Sequence, residues 1–331
     1  MAASPAEQAR AISDAAGDHV APLLARVEER LAALSASHAG EVGRHGAATM
    51  AAGGKRLRPL LVIVAGAPDA TEAQAEDLVR SAAAVELLHA ATLVHDDVLD
   101  AAPLRRGRPT VWSEGGRGAA TATGDALFAL AFAELVRTGS AAHVAALSVA
   151  GSALAAGELA QRADAWDATI TRERYEHRCE LKTARLFEAA CRLGVLSTGG
   201  DAGRATALGA FGTRIGLAFQ LLDDVLDVSG PAERTGKHRG TDLLDGTVTL
   251  PFILARQRDR GLAMVAPRAI RTADQAEAIC DTIARTGALD EARAEALAIV
   301  QGAVDGLPEG LPDAQRRALE LVAGSVVARY S

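Results

Sequence analysis

Residues 84–100 read AVELLHAATLVHDDVLD, an apolar run that ends in a DDxxD cluster. The spacing of the apolar residues predicts a helix. Because positions i and i+4 share one face of a helix, Asp96 and Asp100 aim two carboxylates in the same direction, with Asp97 beside them. Clustered carboxylates repel one another and are costly to bury unless a cation compensates their charge. The stretch therefore predicts a buried helix that ends at a cation site.

Residues 215–227 repeat this arrangement as IGLAFQLLDDVLD, with Asp223, Asp224 and Asp227 in the same spacing. Oxygen ligands without a neighbouring cysteine favour a hard cation, Mg²⁺ first, and Mg²⁺ commonly reaches a protein together with a phosphate group. A solvated acidic helix face is the alternative interpretation, and a single DDxxD cluster would favour it. Two clusters, each at the end of an apolar helix, favour the magnesium site.

Small apolar residues dominate the rest of the chain, and alanine-rich segments recur at helical spacing. Since runs of β-branched residues are short, this composition predicts an all-α fold. The 331 residues can bury a sizeable core, and no Pro- or Ser-rich linker divides them. We therefore expect a single domain over residues 1–331, with residues 1–20 loosely ordered.

Charge and composition narrow the classes of function. The formal net charge of −7 argues against a nucleic-acid binder, because affinity for the phosphate backbone needs a basic surface. Cys179, Cys191 and Cys280 are widely spaced and indicate neither a disulfide framework nor a zinc site. The first residues are polar and alanine-rich, so we expect no signal peptide, and the apolar runs, such as LLVIVAGA from Leu60, are shorter than a bilayer span. We expect a soluble cytoplasmic protein without an integral membrane segment.

Basic residues that could meet a phosphate lie in three places. GGKRLRP at residues 53–59 combines two glycines, which allow close backbone approach to an anion, with a predicted helix start. RRGRP at residues 105–109 follows the first aspartate cluster as a loop, where arginine forks suit diphosphate oxygens. Lys182 and Lys237 form the third group, and each alone is more typical of a surface lysine.

These motifs, in their order along the chain, resemble those of the trans-type isoprenyl diphosphate synthases, or polyprenyl synthetases. The resemblance covers roughly residues 40–255 and consists of GGKRLRP, HAATLVHDDVLD, RRGRPT, GELAQ, LKTARLF, FQLLDDVLD and TGKHRGTDL followed by TLP. It implies the isoprenoid synthase fold, in which antiparallel helices surround a deep central cavity and the two aspartate motifs face each other near its mouth. It also implies Mg²⁺ dependence and a homodimer.

The family's reaction explains this set of residues. An allylic diphosphate ionises to diphosphate and a carbocation, isopentenyl diphosphate adds through its double bond, and a proton is lost, so that the chain grows by five carbons. Charge that develops on the leaving diphosphate needs metal ions and cationic side chains. The departing diphosphate is the expected proton acceptor, so no side chain is assigned as a base.

The resemblance implies a role for each matching residue. The Mg²⁺ cluster, of three ions when diphosphate is bound, is expected to be ligated by Asp96, Asp100 and Asp223, with Asp97, Asp224 and Asp227 ligating through water or orienting the others. The allylic diphosphate is expected to be held by Arg105, Lys182, Thr183, Gln220 and Lys237, among which Lys182 is counted as catalytic. Isopentenyl diphosphate is expected to be held by Lys55, Arg58, His89 and Arg106.

Two histidines precede the first aspartates and receive different roles. His89 lies seven residues before Asp96, which is about two helical turns, so it shares the face of the predicted metal site. His95 is offset from that face and is expected to be structural.

One residue departs from the family pattern, which commonly reads GKxTLP after the second aspartate motif. Here Thr247 stands where a lysine would help to neutralise diphosphate, whereas Lys237 is retained. We interpret this as tolerated variation. A non-catalytic subunit of a heteromeric synthase is an alternative that Thr247 favours slightly, but intact aspartate motifs argue against it. A class I terpene cyclase is a second alternative, disfavoured because six Phe, two Trp and two Tyr offer few aromatic faces for migrating cations.

Product length is predicted from the residues below the first aspartates. Ala91 and Thr92 lie about one turn deeper on the same helix, where a bulky ring would form a floor, and both are small. Ala126 would widen the cavity further, whereas Phe128, Phe132 or Leu147 would supply a lower floor. We expect a medium- to long-chain product, from about C20 upward, with the long end preferred.

Overall fold

A computed structural model describes residues 5–54, 56–105, 107–230 and 239–328 of the chain. Its contacts divide the chain into two compact units. The first unit comprises Met1–Gly151, Leu186–Gly212 and Gly306–Val322, and the second comprises Ser152–Arg185, Thr213–Asp305 and Ala323–Ser331. The single domain expected from the sequence stays a prediction.

The described residues are almost entirely helical, which confirms the predicted all-α fold. In chain order the helices are α1 Pro5–Ala16, α2 Val20–Ser35, α3 Gly40–Ala51, α4 Leu57–Ala65, α5 Glu72–Leu99, α6 Val111–Val136, α7 Ala141–Ala163, α8 Arg172–Cys179, α9 Arg185–Ser197, α10 Ala202–Ser229, α11 Thr241–Leu244, α12 Leu250–Arg258, α13 Arg260–Met264, α14 Ala273–Arg285, α15 Ala288–Asp305 and α16 Asp313–Ala328. A π-helical turn at Glu180–Ala184 joins α8 to α9, a 3₁₀ turn spans Pro267–Ala269, and strands β1 Leu104–Arg105 and β2 Arg108–Pro109 form a short ribbon.

Helix α5 is the central element of the first unit. It begins with a capping box, in which the Thr71 hydroxyl accepts from the Gln74 amide and the Gln74 side chain accepts from the Thr71 amide at 2.9 Å. Leu78, Val85 and Leu88 are fully buried, because α2, α4 and α6 pack around the helix. A helix buried on so many sides holds its carboxyl end, where the first aspartates lie, in a fixed position.

Length and composition make three described helices, α6, α7 and α10, capable of crossing a bilayer. The sequence expectation rested on uninterrupted strongly apolar runs, whereas these helices reach the required hydropathy through many alanines. Between a third and just over half of the residues in each apolar window are buried within the fold. The absence of an integral membrane segment stays a prediction.

A buried polar cluster ties α5 to two neighbouring helices of the first unit. Ser81 of α5 lies 2.9 Å, hydroxyl to hydroxyl, from Ser197 at the end of α9. His143 Nε2 of α7 lies 3.2 Å from the same Ser197 hydroxyl, and the imidazole is almost wholly buried. Burial lowers the pKa of His143 from its ordinary value of 6.5, and the charge of Asp77 only partly opposes this. The fold therefore favours a neutral imidazole here.

This burial predicts a pH-dependent stability. A lowered pKa in the folded state means that the unfolded chain takes up the proton first, so the contribution of His143 is fully present above pH 6.5 and is lost as the pH falls below it. In wild type, the free energy of unfolding should fall by up to about 1.4 kcal/mol per pH unit from this group. The His143→Gln variant should show a shallower fall in urea denaturation between pH 7.5 and 5.5. Identical pH slopes in the two proteins would contradict the assignment.

Candidate active site

The first aspartate motif lies at the carboxyl end of α5, as predicted. Helix α5 ends at Leu99, and Asp100 caps it by donating its amide to the Asp96 carbonyl at 2.8 Å. Asp96 is half-buried and Asp100 is exposed, whereas Asp97 is buried. Arg105 Nε donates to Asp97 Oδ1 at 2.8 Å, so the middle aspartate is held by a cation of the chain itself. The arrangement leaves the two outer carboxylates closer to solvent.

The basic loop that follows is a two-stranded ribbon, which the sequence did not predict. Arg105 pairs with Arg108 in antiparallel register, and Gly107 adopts a φ of +73° that favours glycine in the turn. The Thr110 hydroxyl donates to the Ala102 carbonyl at 2.6 Å, and its oxygen caps α6 by accepting from the Ser113 amide at 3.1 Å. The ribbon is thereby fixed to the end of α5, and Arg105 and Arg108 lie on the side of the ribbon that faces the carboxyl end of this helix.

His95 has the structural environment that its offset position predicts. Its ring packs against the backbone of α6 at Gly124, where an added Cβ would lie 2.2 Å from His95 Nε2. The same nitrogen lies 3.2 Å from Asp125 Oδ1. Only glycine at position 124 leaves room for this imidazole, so His95 sets how closely α6 approaches the residues just before the aspartates.

A cavity of about 270 Å³ opens beside the first motif within the first unit. Its polar wall contains His89, Asp97, Arg105 and Arg108, and its apolar wall includes Leu93 and other residues of α5. The far side is formed by α3 and the chain up to Gly53, the first glycine of GGKRLRP. Cationic, acidic and apolar surfaces thus meet in one space, which suits a small molecule with a charged head and a short apolar tail.

The predicted isopentenyl diphosphate residues have different locations. His89 lines the cavity together with Asp97, whereas its spacing predicted the helix face of Asp96. Arg58 is not part of the lining, and its guanidinium lies 4.7 Å from the centre of the Phe187 ring. Lys55 and Arg106 lie outside the described residues. Of the four, the structure therefore associates His89 with the cavity.

Two further arginines line the cavity without a predicted role, although both belong to quoted basic motifs. Arg108 lies opposite Arg105 in the ribbon. Arg56 has a left-handed backbone with a φ of 46° and donates to Glu86 at 2.8 Å and to Glu28 at 2.5 Å. The neighbouring basic residues in each motif were a sequence signal that Arg56 and Arg108 could also line the site. The pairing of Arg56 with glutamates of α2 and α5 could not be predicted, because it depends on tertiary structure.

The second aspartate motif lies near the end of α10, in the second unit. Asp223 is exposed and Asp227 is half-buried, whereas Asp224 is buried. Tyr175 donates its hydroxyl to Asp224 Oδ2 at 2.6 Å, and Gln220 Nε2 donates to Asp224 Oδ1 at 2.8 Å. Burial, the largest cause, and the charge of Asp242 raise the pKa of Asp224 to about 8, while the two hydrogen bonds oppose the rise.

The predicted allylic-diphosphate residues Lys182 and Thr183 lie on the π-helical turn rather than on a regular α-helix. Lys182 Nζ donates to Glu158 Oε2 at 2.5 Å, and the Thr183 hydroxyl donates to Gln220 Oε1 at 2.7 Å. A Cβ at Gly157 would lie 2.6 Å from the Lys182 amide nitrogen, so glycine allows α7 to pack against this turn. π-Helical turns are frequent at functional sites because they redirect side chains within a helix. The sequence alone gave no signal for it.

The chain after α10 returns to the second motif. Asp227 Oδ2 accepts from the Asp242 amide at 3.2 Å, and the Asp227 carbonyl accepts from the Gly240 amide at 2.9 Å. Thr247 is half-buried and donates its amide to the Asp242 carbonyl at 2.8 Å. Lys237 lies outside the described residues. Asp227 therefore organises the loop that leads to Thr247.

The two predicted chain-length residues differ in their surroundings. Ala91 is fully buried, whereas Thr92 is half-buried and donates its hydroxyl to the His89 carbonyl at 2.8 Å. Lower on the helix, Leu88 lies near Phe128 of α6, since a Cβ at Gly151 would contact both, at 3.9 and 3.5 Å. The Phe128 and Phe132 rings are 5.1 Å apart. A ring pair thus lies about one turn below Thr92.

The aspartate motifs fit a hard divalent cation by their donor chemistry. Asp96 and Asp100 lie one turn apart, offer only carboxylate oxygens and are less buried than Asp97. Within the described ranges, no group of three or more His, Cys, Asp or Glu side chains is assembled as a metal site. The motifs therefore supply suitable oxygen ligands.

Comparison with known proteins agrees with this geometry. A family model described as polyprenyl synthetase matches residues 42–285. The heptaprenyl diphosphate synthase component 2 of Geobacillus stearothermophilus is 37% identical over 273 residues, 82% of this chain and 84% of that protein. The geranylgeranyl diphosphate synthase of Methanosarcina mazei is 34% identical over 257 residues, 76% of this chain and 78% of that protein.

Solved structures share the architecture. A polyprenyl synthase from Caulobacter crescentus, crystallised with calcium and isoprenyl diphosphate, has a TM-score of 0.82 and 32% identity, covering 100% of this chain and 99% of that chain. Since the family model spans most of the chain and the motifs lie at helix ends in the expected way, this chain belongs to the polyprenyl synthetase family, the trans-type isoprenyl diphosphate synthases.

Proposed function

We propose that the protein is a Mg²⁺-dependent prenyltransferase that condenses isopentenyl diphosphate with an allylic diphosphate. The observation that carries this proposal is the cavity at the end of α5, where His89, Arg105 and Arg108 face the same space as an apolar wall. A diphosphate with a five-carbon tail needs a cationic region and an apolar region side by side. The Caulobacter relative, crystallised with calcium and isoprenyl diphosphate, supports both the ligand class and the use of a divalent cation.

In the proposed reaction, the bond between the allylic carbon and its diphosphate oxygen breaks, and the electron pair leaves with the diphosphate. The terminal alkene carbon of isopentenyl diphosphate forms a bond to the allylic carbon, and the proton that is then lost goes to the departing diphosphate. Mg²⁺, when bound, supplies positive charge at the diphosphate oxygens. The chain's own charges have to hold the two diphosphates and keep them oriented.

Described side chains within each unit are proposed for this work. In the first unit, Asp96 and Asp100 supply oxygen ligands for Mg²⁺, and His89 holds isopentenyl diphosphate. In the second unit, Asp223 is the exposed ligand for Mg²⁺, while Lys182 and Thr183 hold the allylic diphosphate. Lys182 is held by Glu158 and Thr183 by Gln220, so both are oriented before substrate arrives.

The aspartate assignment predicts a loss of elongation in the Asp96→Ala variant. Purified protein would be incubated with Mg²⁺, labelled isopentenyl diphosphate and C5, C10, C15 or C20 allylic primers, and the products sized. Wild type should give a ladder that ends at one length, and Asp96→Ala should lower the rate by roughly 100-fold or more. The exposed Asp69, changed to Ala, is the matched control and should keep the wild-type rate.

Other results of the same assay would redirect the assignment. Full activity in Asp96→Ala would contradict the role of the first motif. Cyclic hydrocarbon from wild type would indicate a terpene cyclase, and no product with any primer would indicate a non-catalytic subunit.

We propose a medium- to long-chain product, of about C20 or longer, because the residues one turn below the aspartates are small. Relatives are named from geranylgeranyl to nonaprenyl diphosphate synthases, which is compatible with this range. The Phe128–Phe132 pair is the proposed lower floor, since it lies deeper than Thr92.

Because Thr92 and Ala91 differ in burial, a bulky residue at each position should have a different effect. Thr92→Phe places a ring at a half-buried position and should shorten the longest product by at least one five-carbon unit, with normal folding. Ala91→Phe forces a ring into a fully buried site and should lower stability by about 1–3 kcal/mol. Product sizing and thermal melting of both variants provide the measurement. An unchanged product from folded Thr92→Phe would contradict the proposed path of the tail.

We also propose a homodimer in a reducing, cytoplasmic compartment. All three cysteines are free and buried, which suits reducing conditions. Residues 138–157, most of them in α7, contain no Asp, Glu, Lys or Arg. Val149 is 64% exposed within this run, beside exposed alanines and serines. A long surface without charged side chains is typical of a subunit interface, where it is buried against the partner instead of being exposed to water.

Sedimentation equilibrium tests the dimer. Wild type should have twice the 34.0 kDa mass of the chain. Val149→Asp places a charge in the uncharged surface and should shift the protein to the monomer, whereas Leu297→Asp, at an exposed position of α15, should leave the mass unchanged. A monomeric wild type would contradict the proposal.

A further inference from the structure

Tyr175 of α8 is the one fully buried tyrosine among the described residues, and its hydroxyl donates to Asp224 at 2.6 Å. The Tyr175 ring makes a cation–π contact with Arg178, whose guanidinium lies 5.5 Å from the ring centre. Arg178 is itself fixed, because it donates to the Val248 carbonyl at 2.6 Å and forms an ion pair with buried Asp164. The position of the Tyr175 hydroxyl next to Asp224 is therefore fixed by these contacts.

The contact is one end of a continuous chain of hydrogen bonds. Tyr175 donates to one oxygen of Asp224, and Gln220 donates to the other. The carbonyl oxygen of the Gln220 amide in turn accepts from the Thr183 hydroxyl at 2.7 Å. Each donor in the chain meets an acceptor, so the Gln220 amide has one orientation that satisfies both of its neighbours. Tyr175 and Thr183 are thus linked through side chains of α10.

This chain also fixes the rotation of the end of α10. Successive residues on a helix point about 100° apart, so turning Asp224 toward Tyr175 directs Asp223 away from the interior. Asp223 is indeed exposed, whereas Asp224 is buried and both of its oxygens accept hydrogen bonds from the protein. The partners that hold a ligand-bearing element are commonly as important as the ligands themselves.

We propose that Tyr175 is a positioning residue of the second aspartate motif, which by anchoring Asp224 orients Asp223 toward the metal–diphosphate and couples the motif to Thr183. Asp224 then acts through its neighbours and holds the helix end. The inference rests on the proposed function, because it concerns the cation and diphosphate that this function requires.

The test measures binding of Mn²⁺ with inorganic diphosphate by calorimetry, without catalysis. Tyr175→Phe keeps the ring and removes the hydroxyl, and it should weaken this binding by about tenfold. The KM for the allylic primer should rise. The KM for isopentenyl diphosphate should stay at the wild-type value, because those of its predicted ligands that the structure describes lie in the first unit. A role in packing alone would change neither the binding nor the split between the two KM values.

Ser81→Ala is the matched control, because it also removes a buried, hydrogen-bonded hydroxyl, far along the sequence from the second motif. It should lower the melting temperature and leave Mn²⁺–diphosphate binding unchanged. The pair of variants therefore separates a general loss of stability from a loss of positioning.

A double-mutant comparison tests the route of the effect. Asp224→Asn should weaken binding, and adding Tyr175→Phe to it should cost little more, because the phenol would act through a carboxylate already altered. Additive losses would overturn the inference, as would wild-type binding in Tyr175→Phe. Failure of Tyr175→Phe to fold would overturn the inference as well, since the Tyr175 hydroxyl would then be required for folding of the whole protein and not for positioning Asp223. If wild type itself neither binds Mn²⁺–diphosphate nor elongates a primer, the proposed function fails instead.

Discussion

Burial of a carboxylate beside other carboxylates is the constraint on which both aspartate motifs depend. A buried carboxyl group is stable only where hydrogen-bond donors or cations satisfy its oxygens. Each motif meets this requirement at its middle aspartate: Asp97 accepts from Arg105, and Asp224 accepts from Tyr175 and Gln220. In both motifs the first aspartate is more exposed than the second. The DDxxD spacing therefore has two consequences, since the second carboxylate of each motif anchors the helix end and the first lies closer to solvent.

Close helix packing holds these anchors in place, and small residues make it possible. A side chain at Gly124 would collide with His95, immediately before the first motif. A side chain at Gly157 would collide with the backbone of Lys182 in the π-helical turn. Glycine at these two positions therefore allows the helices to approach closely beside both aspartate motifs.

The sequence predicted what depends on local spacing. Helical periodicity located α5 and α10, and the i, i+4 rule placed Asp96 with Asp100 on one face. It could not show that Asp224 is buried, because that depends on Tyr175, 49 residues away in the chain. The π-helical turn at Glu180–Ala184 was also missed, since a bulge of this kind leaves the apolar pattern almost unchanged. The sequence also could not show that the Arg58 guanidinium packs over the Phe187 ring, because cation–π packing is a tertiary contact. The predicted role of Arg58 in binding isopentenyl diphosphate stays a prediction.

The same reasoning bears on Thr247, where the family commonly has lysine. The backbone around it is held independently of that side chain. Trp166 donates its amide to the Gly246 carbonyl at 2.8 Å, and Arg178 donates to the Val248 carbonyl at 2.6 Å. A Cβ at Gly246 would lie 2.3 Å from the Trp166 ring, so glycine there is required by the packing. Threonine therefore removes one positive charge while the path of the chain is maintained, and a change in diphosphate affinity is a more direct consequence than a change in fold.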